Sequence, residues 1–135
     1  MIVQQVPIQY VNQMWPHVEQ YIYNALQFAQ GDYSIEDAQV FLTQGMWTLF
    51  VAIDDNEQVK GAAAVSFFNR PSDRVAFVIA IGGKLIANKE TYAQFEAIIK
   101  ANGATCVEGA VRESIARLWS RFGFEHKYAI VGKSL

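Results

Sequence analysis

Cysteine occurs once in this 135-residue chain, histidine twice and proline three times, and only 18% of residues are charged. The lone thiol, Cys106, excludes an internal disulfide. His17 and His126 stand too far apart to give a zinc-ligand spacing, so no metal is expected. With 11 basic and 13 acidic residues the net charge is −2, and no field of one sign exists to concentrate nucleic acid. No apolar run approaches the roughly 20 residues that cross a bilayer. The N-terminus also lacks the basic-then-apolar order of a secretion signal. Nucleic acid and membrane are therefore not expected as partners, and a reducing cytoplasm suits the chain. What is abundant is apolar: 52% hydrophobic residues, including nine Phe, six Tyr and three Trp. Such a composition predicts one compact domain over residues 1–135, burying about two thirds of its unfolded surface.

Residues 2–8 read as a short edge strand, since Pro7 cannot donate to a ladder. A helix follows from about Asn12 or Trp15, with Pro16 near its first turn and Val18, Ile22, Ala25, Leu26 and Ala29 at helical spacing before Gly31. Ser34 with Asp37 forms a capping-box pattern ahead of Ile35, Ala38, Phe41 and Leu42, and Gly45 closes this second helix. From Met46 the period shortens to two: residues 46–53, 58–69 and 74–81 read as three consecutive antiparallel strands. The stretch Gly61-Ala62-Ala63-Ala64 has almost no side-chain bulk, which implies close packing over it. Gly82-Gly83 ends the third of these strands. Tyr92, Phe95, Ile98 and Ile99 then mark a helix, and residues 105–111 form a strand that this crossover makes parallel to residues 74–81. A helix over residues 113–122, with an apolar stripe at Ile115, Leu118 and Phe122, and a final strand over residues 124–131 complete the chain.

The run from Arg112 to Glu125 resembles the closing helix and strand of the GNAT (general-control-related N-acetyltransferase) superfamily. Leu118, Gly123 and Phe124 match its pattern, while Arg112 stands where Asn is usual and Trp119 where Tyr is usual. The element order over nearly the whole chain is similar too. The resemblance implies an α/β (mixed α+β) GNAT-like fold, a twisted mixed sheet of about six to seven strands with helices on both faces. Asp32-Tyr33-Ser34, Gly82-Gly83 and the stretch from Gly109 to Arg112 look closer still to small GNAT-like proteins of tailed phages.

In that superfamily the fourth and fifth strands splay apart. The fourth strand's backbone holds the pantetheine arm of acyl-CoA, and a glycine-rich loop wraps the pyrophosphate at a helix N-terminus. Carried onto this chain, the cofactor-binding positions are Ala80, Ile81, Gly82, Gly83, Lys84, Asn88 and Lys89. The loop departs from the pattern: its glycines lie at the strand end, and Ala87, Asn88 and Lys89 bring side chains where backbone must approach closely. Glu90 adds a carboxylate in the helix's first turn that repels a diphosphate, while Lys84 and Lys89 partly compensate. Acetyl-CoA is expected to bind weakly or not at all.

Trp119 cannot titrate in place of a tyrosine acid. Glu108, in the fifth strand, is the best-placed base, set against an ordinary solvent-facing role. His17 and His126 read as surface residues, Cys106 as a buried inert thiol and Ser114 as a helix-start residue. Arg112, Arg117 and Arg121 offer an anion or partner site, against a default of solvated helix charges. Two functions stand side by side. One is a weak or lost N-acetyltransferase acting on a small-molecule or protein amine. The other is a non-catalytic virion or morphogenesis protein that uses the scaffold to bind a phage or host protein, free in the host cytoplasm or in the virion. An aromatic-rich chain of this size also suggests a homo-oligomer.

Overall fold

The computed structural model describes residues 1–28 and 31–135. Ala29, expected on the first helix, lies outside them. Among the described residues five strands form one sheet in the order β1-β2-β3-β4-β5: β1 (Ile2–Val6), β2 (Thr48–Ile53), β3 (Val59–Asn69), β4 (Arg74–Gly83) and β5 (Cys106–Gly109). All neighbours pair antiparallel except β4 and β5, which are parallel, as the crossover between them requires. The helices are α1 (Val11–Leu26), α2 (Ile35–Thr43), α3 (Lys84–Ala87), α4 (Lys89–Ala101) and α5 (Glu113–Trp119).

β2 shows why both faces of the sheet are covered. Leu49 and Val51 join Val18, Ile22 and Leu42 beneath α1 and α2, while Phe50 and Ala52 join Leu85 and Phe95 on the opposite side. Phe50 meets Phe95 edge to face at 5.2 Å, the arrangement that ring quadrupoles favour. The small-residue stretch of β3 is packed as closely as its sequence implies. A Cβ on Gly61 would stand 2.8 Å from both the Gly82 carbonyl oxygen and the Leu85 nitrogen. Ala62 and Ala64 fit beneath α1, and Ala63 lies with Leu85 and Phe95. At the start of α2, Ser34 Oγ accepts from the Asp37 N–H at 3.0 Å and Asp37 Oδ2 accepts from the Ser34 N–H at 2.9 Å, a complete capping box.

Several sequence expectations about the fold need correction. The strand count is five, because residues 124–131 join no ladder: Phe124 docks on Trp119 at 4.9 Å, and the chain beyond it is exposed. α1 begins earlier, at Val11, directly after a 3-10 turn (Ile8–Tyr10), which puts Pro16 inside the helix rather than in its first turn. Gly82 and Gly83 lie within β4, paired to Ala62 and Gly61, instead of ending the strand. On α5 the inward positions are Ile115, Trp119 and, in the following 3-10 turn, Phe122, while Leu118 is exposed; the bulkiest apolar side chain takes the buried face.

A closed cleft between β4 and β5

The pairing of β4 with β5 stops at Val78 and Gly109, and β4 runs on alone for five residues. The cause lies on the other side of β4. There the register jumps from Val65↔Val78 to Ala64↔Ala80, so Ile79 is an extra residue in the strand. Such a bulge bends its strand and ends regular pairing. It also reverses the facing of β4: Ala76 and Val78 look toward α4, whereas Ala80, beyond the bulge, looks toward α1.

Among the described residues the resulting cleft is lined by ten, all apolar, including Phe28, Val78, Ala80, Ile81, Val111 and Trp119. Its interior measures about 40 Å³. At roughly 10–15 Å³ per water, that admits about three or four water molecules. One wall is Trp119, 6% exposed, whose ring lies so close over Gly109 that a Cβ there would come within 2.5 Å of it. Gly109 is small because the indole needs its space. Among the described residues that line it, none has a side chain able to give or take a proton near neutral pH.

At its far end the cleft meets α3 and α4. The segment 84–87, read in sequence as loop, is a helical turn that buries Leu85 completely. Asn88 then caps α4: its Oδ1 accepts from the Glu90 N–H at 2.9 Å and the Thr91 N–H at 3.1 Å. Those are the amides that a helix N-terminus offers to an anion, and a side chain already uses them. Gly82 and Gly83 serve packing: a Cβ on Gly82 would stand 3.1 Å from the Tyr21 carbonyl oxygen, and one on Gly83 only 2.4 Å from that of Lys60. Of the expected cofactor positions, Ala80 and Ile81 line the cleft, Lys84 and Lys89 are exposed in α3 and α4, and Asn88 is the cap.

Glu108 sits opposite Phe77, one residue before the split, and its side chain is 11% exposed. It is absent from the cleft lining. Arg70 grips it with both terminal nitrogens, one of them at 2.9 Å from Oε1, and Lys127 adds a second cation on Oε2. The Arg70 hydrogen bonds, joined by those of Lys127, outweigh burial and hold the carboxyl at about 2. A carboxylate this acidic accepts an amine proton poorly near neutral pH. Neither Arg70 nor Lys127 was singled out from sequence; the β3–β4 turn that delivers Arg70 was legible, but not its direction.

A pH prediction arises here. Glu108 titrates near 4.5 when unperturbed and near 2 in the fold, so the unfolded chain takes up its proton first. The ion pair's stabilisation is full above about pH 5 and is lost progressively as pH falls toward 2. Denaturant midpoints at about pH 5 and pH 2.5 should show Glu108→Gln losing less stability across that interval than the native chain does. Equal acid sensitivity in the two proteins would contradict the assignment.

The other candidates fall away from the cleft. His17, His126, Ser114, Arg112, Arg117 and Arg121 are all exposed. Cys106 is half-buried instead of buried, its thiol pushed up by burial first and then by Asp73 and Glu108. Among the described residues no three metal-ligating side chains come together.

No family model and no curated protein matches this sequence. Solved structures do match its shape. A ribosomal-protein-alanine N-acetyltransferase from Brucella melitensis biovar Abortus 2308 superposes with a TM-score of 0.70 over 100% of both chains at 12% identity. An aminoglycoside acetyltransferase from an uncultured soil metagenomic sample, solved with trehalose, gives 0.69 over 98% of this chain and 95% of its own at 11% identity. The fold is GNAT. At these identities the likeness concerns the fold, and the chemistry rests on this chain's own residues. In GNAT terms the cleft is where the pantetheine arm would lie, with the α4 amides beneath the pyrophosphate. Neither position suits the cofactor as it stands, since the first is a cleft of only about 40 Å³ walled by Trp119 and the Asn88 side chain already accepts from the Glu90 and Thr91 amides of the second.

Proposed function

We propose that this chain is a GNAT-fold binding module, related in fold to acetyl-CoA-dependent N-acetyltransferases, in which the acyl-CoA site has closed and catalysis is lost. The observation that carries this reading is the Asn88 cap on the Glu90 and Thr91 amides. A diphosphate would have to displace a satisfied intramolecular hydrogen-bond pair and then sit beside the Glu90 carboxylate in the same turn. The apolar cleft supports it independently, because amine acetylation needs a base for the amine proton and a proton for the departing thiolate. The described residues of the cleft lining supply neither.

The competing reading is a weak N-acetyltransferase for a small-molecule or protein amine, favoured by the acetyltransferase names of its structural neighbours. A phage virion or morphogenesis role is a narrower form of the binding reading and adds a source. Its support is three short motifs whose residues also have packing roles: Ser34 in the capping box, Gly82 and Gly83 against Tyr21 and Lys60, and Gly109 under Trp119.

Release of free CoA thiol from acetyl-CoA, followed colorimetrically with a panel of primary amines, tests the loss of catalysis. The expected rate equals that without protein. Turnover that collapses in Trp119→Phe yet survives Glu108→Gln would overturn the proposal and give the indole a role it is denied here.

A further inference from the structure

Charge is divided along this chain in a way that its total conceals. Seven acidic residues and no lysine or arginine precede Lys60, whereas eleven basic and six acidic residues follow from there on, so a net charge of −2 is made of segments carrying −7 and +5. The fold turns this division in sequence into a division in space. α2 lies on one side of the sheet, its Ala38 and Leu42 in the core with Leu49 and Val51. α5 lies on the other, its Trp119 in the core with Phe50 and Phe95.

Each of these two helices leaves an apolar spot beside charges of one sign. On α2, Val40 is 47% exposed and follows the exposed Glu36 by one turn, with Asp32 exposed just ahead of the helix. Past its C-terminal end Met46 is 60% exposed and Ile8 lies against Gly45, so the apolar spot continues beyond the helix. On α5 and the turn that follows, Leu118 is 39% exposed between Arg117 and Arg121, which stand four residues apart and share a face. Among the described residues, Asp32, Glu36, Arg117 and Arg121 enter no salt bridge, and both bridges that form end on Glu108. The two faces therefore match in charge and in apolar centre, and the sheet between them keeps them from meeting within one molecule.

We propose that the α2 face of one copy docks on the α5 face of another, Val40 against Leu118, with Asp32 and Glu36 toward Arg117 and Arg121. Such a contact is heterologous, using a different patch on each copy, so the pair still offers one free acidic face and one free basic face for further copies. A net charge of −2 sets little repulsion against it. Exposed ion pairs are individually weak and are screened by salt, so the contact needs its apolar centre and is strongest at low ionic strength. It does not depend on the fate of the acyl-CoA site.

Sedimentation of the native full chain in low-salt buffer should give a mass that rises with concentration past two chains. In roughly 1 M sodium chloride, where the screening length falls to about 3 Å, the mass should return to one chain. Two charge-reversed variants, Asp32→Lys/Glu36→Lys and Arg117→Glu/Arg121→Glu, alter only exposed positions, and each alone should run as a single chain. Mixed in equal amounts, they should form a complex of two chains and no larger, because each keeps the face that the other has lost. Circular dichroism checks that both stay folded. Association of either variant with itself, or a mixture of folded variants that remains single chains, would overturn the proposal. A native chain that stays single at low salt and millimolar concentration would overturn it too, and would leave the α2 face to a basic protein of another kind.

Discussion

Trp119→Ala is expected to lower the stability of this protein by about 3–5 kcal/mol, the range for truncating a buried aromatic. The indole is nearly inaccessible, packs on Phe124 at 4.9 Å and lies over Gly109. Against a total of about 5–15 kcal/mol, such a loss should be plain in a thermal melt. Its specificity comes from a cycle with Gly109. Gly109→Ala alone should destabilise by about 1–3 kcal/mol, because its Cβ would fall 2.5 Å from the ring and force a shift. In the Trp119→Ala background the same substitution should cost little or nothing, giving a coupling of at least about 1 kcal/mol. Additive losses would mean that the indole does not sit over Gly109. Millimolar indole should partly restore the melting temperature of Trp119→Ala by refilling the cavity, by mass action on the folded state.

The second large effect is expected at Gly83. Its φ of +66° with ψ of −145° lies in a region that side-chain-bearing residues avoid, and a Cβ there would meet the Lys60 carbonyl oxygen at 2.4 Å. Gly83→Ala combines backbone strain of about 1–3 kcal/mol with a clash against backbone that cannot rotate away. A loss of about 3 kcal/mol or more is expected by denaturant unfolding. By contrast, Gly123→Ala has a similarly positive φ of 91° but nothing within 4 Å of the added methyl, so it should cost about 1 kcal/mol. If the two substitutions cost the same, the close packing of β4 on β3 is not what selects glycine at position 83.

These positions show what the sequence could and could not convey. The strand–helix–strand crossover was legible because hydrophobic period and turn residues are local, and the parallel β4–β5 pair follows from them. Ser34 and Asp37 announced their capping box three residues apart. Gly82-Gly83 was legible as unusual but not as to cause, since the partners, the carbonyls of Tyr21 and Lys60, are remote in sequence. The bulge at Ile79 left no mark, because its neighbours are apolar on both faces and a shift of one residue keeps the pattern. Leu118 was placed inward with Ile115 and Phe122 because helical spacing allows it, whereas Trp119, one residue on, takes the buried face and leaves Leu118 exposed. Glu108 was singled out for standing near the split. What decides its chemistry is Arg70, 38 residues earlier, and Lys127, 19 residues later, and no spacing rule connects them. Asn88 was noted as a hindrance in the loop, whereas its role is that of a cap.

The central claim is that the acyl-CoA site of this GNAT fold is closed by its own side chains. Titration of acetyl-CoA and of free CoA into the native protein by calorimetry addresses it most directly. The account predicts no saturable heat with either ligand up to millimolar concentration, where binding would be worth only about −4 kcal/mol. One-to-one binding at micromolar concentration, about −8 kcal/mol, would contradict it and would require Trp119 and Asn88 to move aside for the cofactor.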